Sequence, residues 1–143
     1  MADETVEVEQ TEEETQEEQF YGTLKEQFGD SAPSKSDVDL WKAQSGRVRL
    51  VPFADNEVYF IRPIKRSEYR GLIQTLGSVS GENTQNEDLL REHVVTKCTL
   101  WPSLKTEQFA GMPAGTLESL YDAIMDASNF MSQQMLMTLV REL

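Results

Sequence analysis

The sequence has little of the chemistry that metal and nucleophile sites need, with one cysteine, Cys98, and one histidine, His93, among 143 residues. A single cysteine cannot close an internal disulfide, so nothing points to an oxidising compartment. A structural zinc site usually takes four Cys or His ligands, which this chain does not have. On a helix the two residues lie ~140° apart, so a Cys–His nucleophile pair is disfavoured. We expect Cys98 to be a small buried apolar residue.

Long apolar runs are also missing. No stretch approaches the ~20 apolar residues that a membrane-spanning helix requires. The chain opens with Met1-Ala-Asp-Glu, which is acidic where a signal peptide is positively charged. The sequence therefore predicts a cytosolic protein that has no membrane partner.

Motifs of common catalytic sites are absent as well. The glycines Gly77, Gly81, Gly111 and Gly115 do not have the spacing of a Walker or dinucleotide-binding loop. A Ser–His–Asp triad would have to use His93, and no Gly-x-Ser-x-Gly elbow is present. We expect neither enzymatic activity nor a cofactor.

Positive charge is missing from the first 20 residues, which hold nine acids and no Lys or Arg. The other 123 residues hold 16 acids and 13 bases, so the net charge of −12 is concentrated at one end. A segment of this composition is expected to be disordered when isolated, because it buries too little apolar surface. Its charge also repels phosphate, so no nucleic-acid partner is expected.

The composition divides the chain into three parts: an acidic flexible leader over 1–18, an amphipathic helix and linker over 19–35, and a hairpin plus helical domain over 36–143. The helix would place Phe20, Leu24 and Phe28 on one stripe, with Gly29 ending it. Two interpretations stay open: the helix packs on its own chain, or it docks in a groove of a partner.

Alternating apolar and polar residues predict a β-hairpin of about 46–53 and 57–62, ended by Arg62-Pro63. A short helix capped by Ser36 precedes it. Helical spacing follows in four further stretches. These are 67–76, with Ile73 among the inward residues, 84 to about 99, Leu117 to about 128, and 131–141. The predicted fold class is α+β, predominantly helical, with one hairpin packed on helices.

Two surface features are candidates for partner binding. The first is a basic cluster of Arg62, Lys65, Arg66 and Arg70, which is either a solvated face or a binding site for the acidic leader or an acidic partner. The second is the Met-rich C-terminus, with Met131, Met135 and Leu139 at helical spacing. It would either pack in the core or form a surface for a partner or for self-association.

Three stretches resemble tail assembly chaperones of contractile-tailed bacteriophages and the related baseplate hub assembly proteins. The first covers 47–69 and consists of a strand pair, then Arg62-Pro63, then Ser67-Glu-Tyr69. The second is Val94-Val-Thr-Lys-Cys98 with Trp101-Pro102. The third runs from Pro113-Ala-Gly115 to Ser128-Asn-Phe130, where Asn129 stands in place of a more usual glycine. The resemblance covers roughly residues 40–130.

The resemblance implies a non-enzymatic assembly factor in the host cytoplasm whose partners are phage tail, tape-measure or baseplate hub proteins. An alternative is a permanent structural subunit of the phage baseplate or neck, retained in the virion. A third hypothesis, an acidic inhibitor that mimics DNA, is disfavoured because the acids crowd one end instead of covering a folded surface.

Overall fold

The computed structural model describes the backbone of residues 2–53, 57–77 and 83–143, and side chains at 15–53, 57–76 and 87–143. In chain order the elements are α1 (Ala2–Phe28), α2 (Lys35–Ser45), β1 (Arg49–Phe53), β2 (Glu57–Ile61), α3 (Arg66–Gly77), α4 (Asn83–Cys98), β3 (Thr99–Trp101), a 3₁₀-helix (Thr106–Gly111), α5 (Ala114–Ala127) and α6 (Gln133–Leu139). The α+β, mostly helical fold class is confirmed.

The chain divides into two compact units, Met1–Gln44 and Ser45–Leu143. In the first, α1 begins at Ala2, so the acidic leader has a helical backbone where the composition predicts disorder for the isolated segment. Glu and Gln favour helices, and acids near a helix N-terminus are stabilised by its dipole. The boundary between the units lies at the end of α2, whereas the predicted boundary at 35/36 lies at its start.

The junction between α1 and α2 is fixed by local hydrogen bonds. Gly29 has φ 84°, and its N–H donates to the carbonyl of Lys25 at 2.8 Å, which confirms it as the residue that ends α1. The Ser34 N–H donates to Asp37 Oδ2 at 3.0 Å, and the Asp37 N–H donates to Ser34 Oγ at 3.3 Å. Ser34 therefore caps α2, and the predicted cap at Ser36 is wrong because Asp37 completes the reciprocal pair only with Ser34.

The second unit contains an antiparallel sheet in the order β1-β2-β3. β1 and β2 pair from Arg49↔Ile61 to Phe53↔Glu57, as the hairpin prediction requires. Of the turn predicted over 54–57, residues 54–56 lie outside the described residues and Glu57 belongs to β2. β3 was not predicted, since the sequence interpretation treats this stretch only as the end of a helix. It pairs with β2 through Ile61↔Thr99 and Phe60↔Trp101.

The core of the second unit lies where β2, α4 and α5 meet. Its fully buried side chains are Ile61 from β2, Val94, Val95 and Cys98 from α4, and Leu120 and Ile124 from α5. The prediction that Cys98 is a buried apolar residue is confirmed. Among the described residues, no helix has the length and apolar character needed to cross a membrane.

Three hydrogen bonds set the end of α5 and the direction in which the chain leaves it. Asn129 has φ 68°, as predicted for a position where glycine is more usual. Its N–H donates to the Asp126 carbonyl at 3.1 Å, and the Phe130 N–H donates to the Met125 carbonyl at 3.0 Å. The Ser128 hydroxyl accepts the Ile64 N–H at 2.8 Å, so this turn is also tied to the segment after β2.

Candidate functional site

The C-terminal apolar segment, residues 130–140, lies entirely on the surface. It contains α6, which has no buried residue and begins with Ser132 accepting the Met135 N–H at 3.1 Å. Met135 is 57% exposed, Met137 66% and Leu139 61%. The other exposed apolar members are Phe130, Met131, Leu136 and Val140. Of the two interpretations left open by the sequence, core packing does not occur.

An aromatic contact joins this segment to α3. The rings of Phe130 and Tyr69 meet edge to face, with centroids 5.2 Å apart and an interplanar angle of 62°. Tyr69 is itself partly buried against the core of the second unit, and this packing holds its ring in place. The C-terminal apolar segment therefore starts next to the first turn of α3.

Arg62, one of the four predicted basic residues, is used inside the fold. Its guanidinium donates to both carboxylate oxygens of Glu68 at 2.9 Å and to the Lys97 carbonyl at 3.2 Å. Only 15% of the Arg62 side chain is exposed. The Arg62 guanidinium holds the pKa of Glu68 at about 2, well below its ordinary value. Sequence reasoning missed this pair because Arg62 and Glu68 are six residues apart and lie on either side of the start of α3, a spacing that no helical or strand periodicity pairs.

The other three basic residues are exposed: Arg66 and Arg70 lie on α3, and Lys65 directly precedes it. We call these three residues the α3 basic face. Within the described part of the chain, none of them has an ion-pair partner. Ile73, predicted to point inward, is 45% exposed instead. It lies one turn beyond Arg70 on the same side of the helix, so the basic face carries an apolar residue at its end.

The predicted stripe on α1 divides between buried and exposed positions. Leu24 is 5% exposed and Phe28 is partly buried, whereas Phe20 is 39% exposed and contacts the Tyr21 ring at 5.0 Å. Of the three, Phe20 is the most exposed and the one most accessible to a partner. The stripe is a smaller binding candidate than the C-terminal apolar segment.

Two candidate sites for chemistry among the described side chains are the Cys98 thiol and a metal centre. Burial raises the pKa of the Cys98 thiol to about 11, which opposes formation of the nucleophilic thiolate. Over the residues with described side chains, no group of three or more His, Cys, Asp or Glu residues could hold a metal ion. The C-terminal apolar segment and the α3 basic face offer a partner apolar contact area and positive charge.

Comparison of the chain with protein-family models, with curated proteins and with solved structures found no match in any of the three.

Proposed function

We propose that this protein is a non-enzymatic assembly factor of a contractile-tailed bacteriophage, which binds tail or baseplate hub components through its C-terminal apolar segment. The observation that carries the binding role is that α6 and its flanks bury no side chain. The assignment to phage tails rests on the resemblance of residues 40–130 to tail assembly chaperones.

The energetics of α6 support a binding role. A helix of seven residues is unstable in water by itself, because isolated helices need roughly 12–15 residues to be even marginally stable. Helices this short are normally held by packing, yet α6 contributes no buried residue to its own fold. A partner that covers Met135, Leu136 and Leu139 would supply the missing packing. Methionine side chains also adapt to irregular apolar surfaces.

Co-expression with candidate tail proteins, followed by affinity purification, tests the proposal. We expect the full-length chain to retain a tape-measure or hub protein, and the double variant Met135→Gln/Leu139→Gln to lose it. A matched control is Leu40→Gln/Leu89→Gln, which removes two exposed leucines elsewhere. If no tail component is retained, or if both double variants retain it equally, the proposal fails.

A permanent structural subunit of the baseplate or neck is the second candidate function, because long-lived interfaces are also more apolar than transient ones. Mass spectrometry of purified particles separates the two functions. An assembly factor should be absent or far below the copy number of the tail proteins, whereas a structural subunit should be present in a fixed ratio to them.

A further inference from the structure

We propose that the C-terminal apolar segment and the α3 basic face form one docking surface, and that its occupant is an acidic amphipathic helix of the partner. This inference rests on the proposed binding function and names the chemistry of the segment that is bound. It extends that function because an apolar surface alone would not select the charge of its partner.

The contact between Phe130 and Tyr69 joins the start of the C-terminal apolar segment to α3. Tyr69 lies one helical turn after Arg66 and one turn before Ile73, so the three share a side of α3. Both Arg66 and Ile73 are exposed. Phe130, the first residue of the C-terminal apolar segment, therefore lies beside the side of α3 that carries Arg66 and Ile73.

The α3 part of this surface is positively charged, because the one carboxylate of α3, Glu68, is already paired with Arg62. Glu68, the acidic residue of α3, is held by Arg62 and lies 3.7 Å from Lys97 Nζ. α6 contains no charged residue. Arg66 and Arg70 therefore face solvent without a neutralising carboxylate among the described residues. Most of the net charge of −12 belongs to the first 20 residues, so these two arginines attract an acidic segment of a partner.

The spacing of the apolar residues favours a helical occupant. Met135 and Leu139 are four residues apart on α6 and so form a ridge along one side. Such a ridge packs into the groove between apolar side chains of another helix. Acids placed beside the apolar stripe of that helix would meet Arg66 and Arg70.

Binding of designed peptides to the full-length protein tests the inference without any phage protein. The acidic peptide is an amphipathic helix of about 18 residues with glutamates flanking a leucine stripe. One comparator replaces those glutamates with glutamine, and another scrambles the acidic sequence so that the stripe is lost. Fluorescence anisotropy should show the acidic amphipathic peptide binding tightest, with affinity falling as salt rises. A basic peptide is not used, because it would bind the acidic leader.

Two charge reversals locate the site. Arg66→Glu/Arg70→Glu should weaken binding of the acidic peptide at least about tenfold. Lys42→Glu/Lys105→Glu changes the net charge equally at exposed lysines and should leave the affinity unchanged. Circular dichroism of both variants checks that each is folded.

Equal binding of the glutamate and glutamine peptides, or no effect of Arg66→Glu/Arg70→Glu, would overturn the inference. So would light scattering that shows a dimer whose formation blocks the peptide, since a second copy would then be the occupant. If a tail protein is retained equally by the wild type and Arg66→Glu/Arg70→Glu, the proposed function stands and this inference falls.

Discussion

Arg62 occupies the point where β2 ends and the chain turns toward α3. Its guanidinium joins three elements by donating to Glu68 in the first turn of α3 and to the Lys97 carbonyl near the end of α4. The Lys65 N–H also donates to Glu68 at 3.1 Å, which keeps the carboxylate in place. A basic residue that looks like part of a surface cluster in the sequence is thus a structural one, because its partner comes from the following helix.

The Arg62–Glu68 pair should make stability depend on pH. The pKa of Glu68 is about 2 in the folded chain, below the ordinary 4.5, so the pair stabilises fully above about pH 4.5 and less as pH falls toward 2. Near neutral pH, Glu68→Gln should lower the free energy of unfolding by about 1–3 kcal/mol. Urea unfolding should show the gap between variant and wild type narrowing below about pH 4.5. If the difference in free energy of unfolding between the two proteins stayed constant with pH, the low pKa of Glu68 would be contradicted.

Cys98 should react slowly with thiol reagents in the folded protein. Burial raises the pKa of its thiol from 9.0 to about 11, which lowers the thiolate fraction at mildly alkaline pH by roughly 100-fold. Labelling with a chromogenic disulfide should therefore be at least ~100-fold slower than in denaturant. Cys98→Ala gives the background rate. Labelling at the denatured rate would mean that the residue is accessible.

At the scale of elements, local pattern explains what could be predicted. The hairpin follows from alternating residues and from Pro63, two residues after the end of β2, and Gly29 and Asn129 mark helix ends that the structure confirms. β3 could not be found this way, because Thr99–Trp101 is too short to show alternation and exists through pairing with β2. The exposure of α6 was equally inaccessible, since apolar spacing is the same in a core helix and in a binding helix.

The turn after α5 should depend on the backbone freedom of residue 129. Asn129 has φ 68°, a region that glycine enters without strain and that alanine enters at a cost. Asn129→Ala should lower the free energy of unfolding by about 1 kcal/mol, whereas Asn129→Gly should be close to neutral. Thermal unfolding of the two variants measures this difference. Equal destabilisation by both would show that the asparagine side chain, and not its backbone, matters.

For the whole molecule, stability and the proposed binding surface are carried by different residues of the second unit. Met135→Gln/Leu139→Gln should change the free energy of unfolding by less than about 0.5 kcal/mol, because both side chains are exposed. Ile124→Ala should cost about 2–5 kcal/mol, since Ile124 is fully buried. Urea unfolding compares the two variants. If Met135→Gln/Leu139→Gln lowered the free energy of unfolding as much as Ile124→Ala does, α6 would have to belong to the core.

The outer strands of the sheet, β1 and β3, bear on aggregation at high protein concentration. Pro52 deprives β1 of one backbone donor, and Pro102 directly follows the three residues of β3. Strand edges of this kind are poor templates for a further strand from a neighbouring molecule. Growth of fibrils through the sheet is thereby discouraged even at high expression. The exposed apolar side chains of residues 130–140 are therefore not accompanied by a sheet edge that favours polymerisation through the backbone.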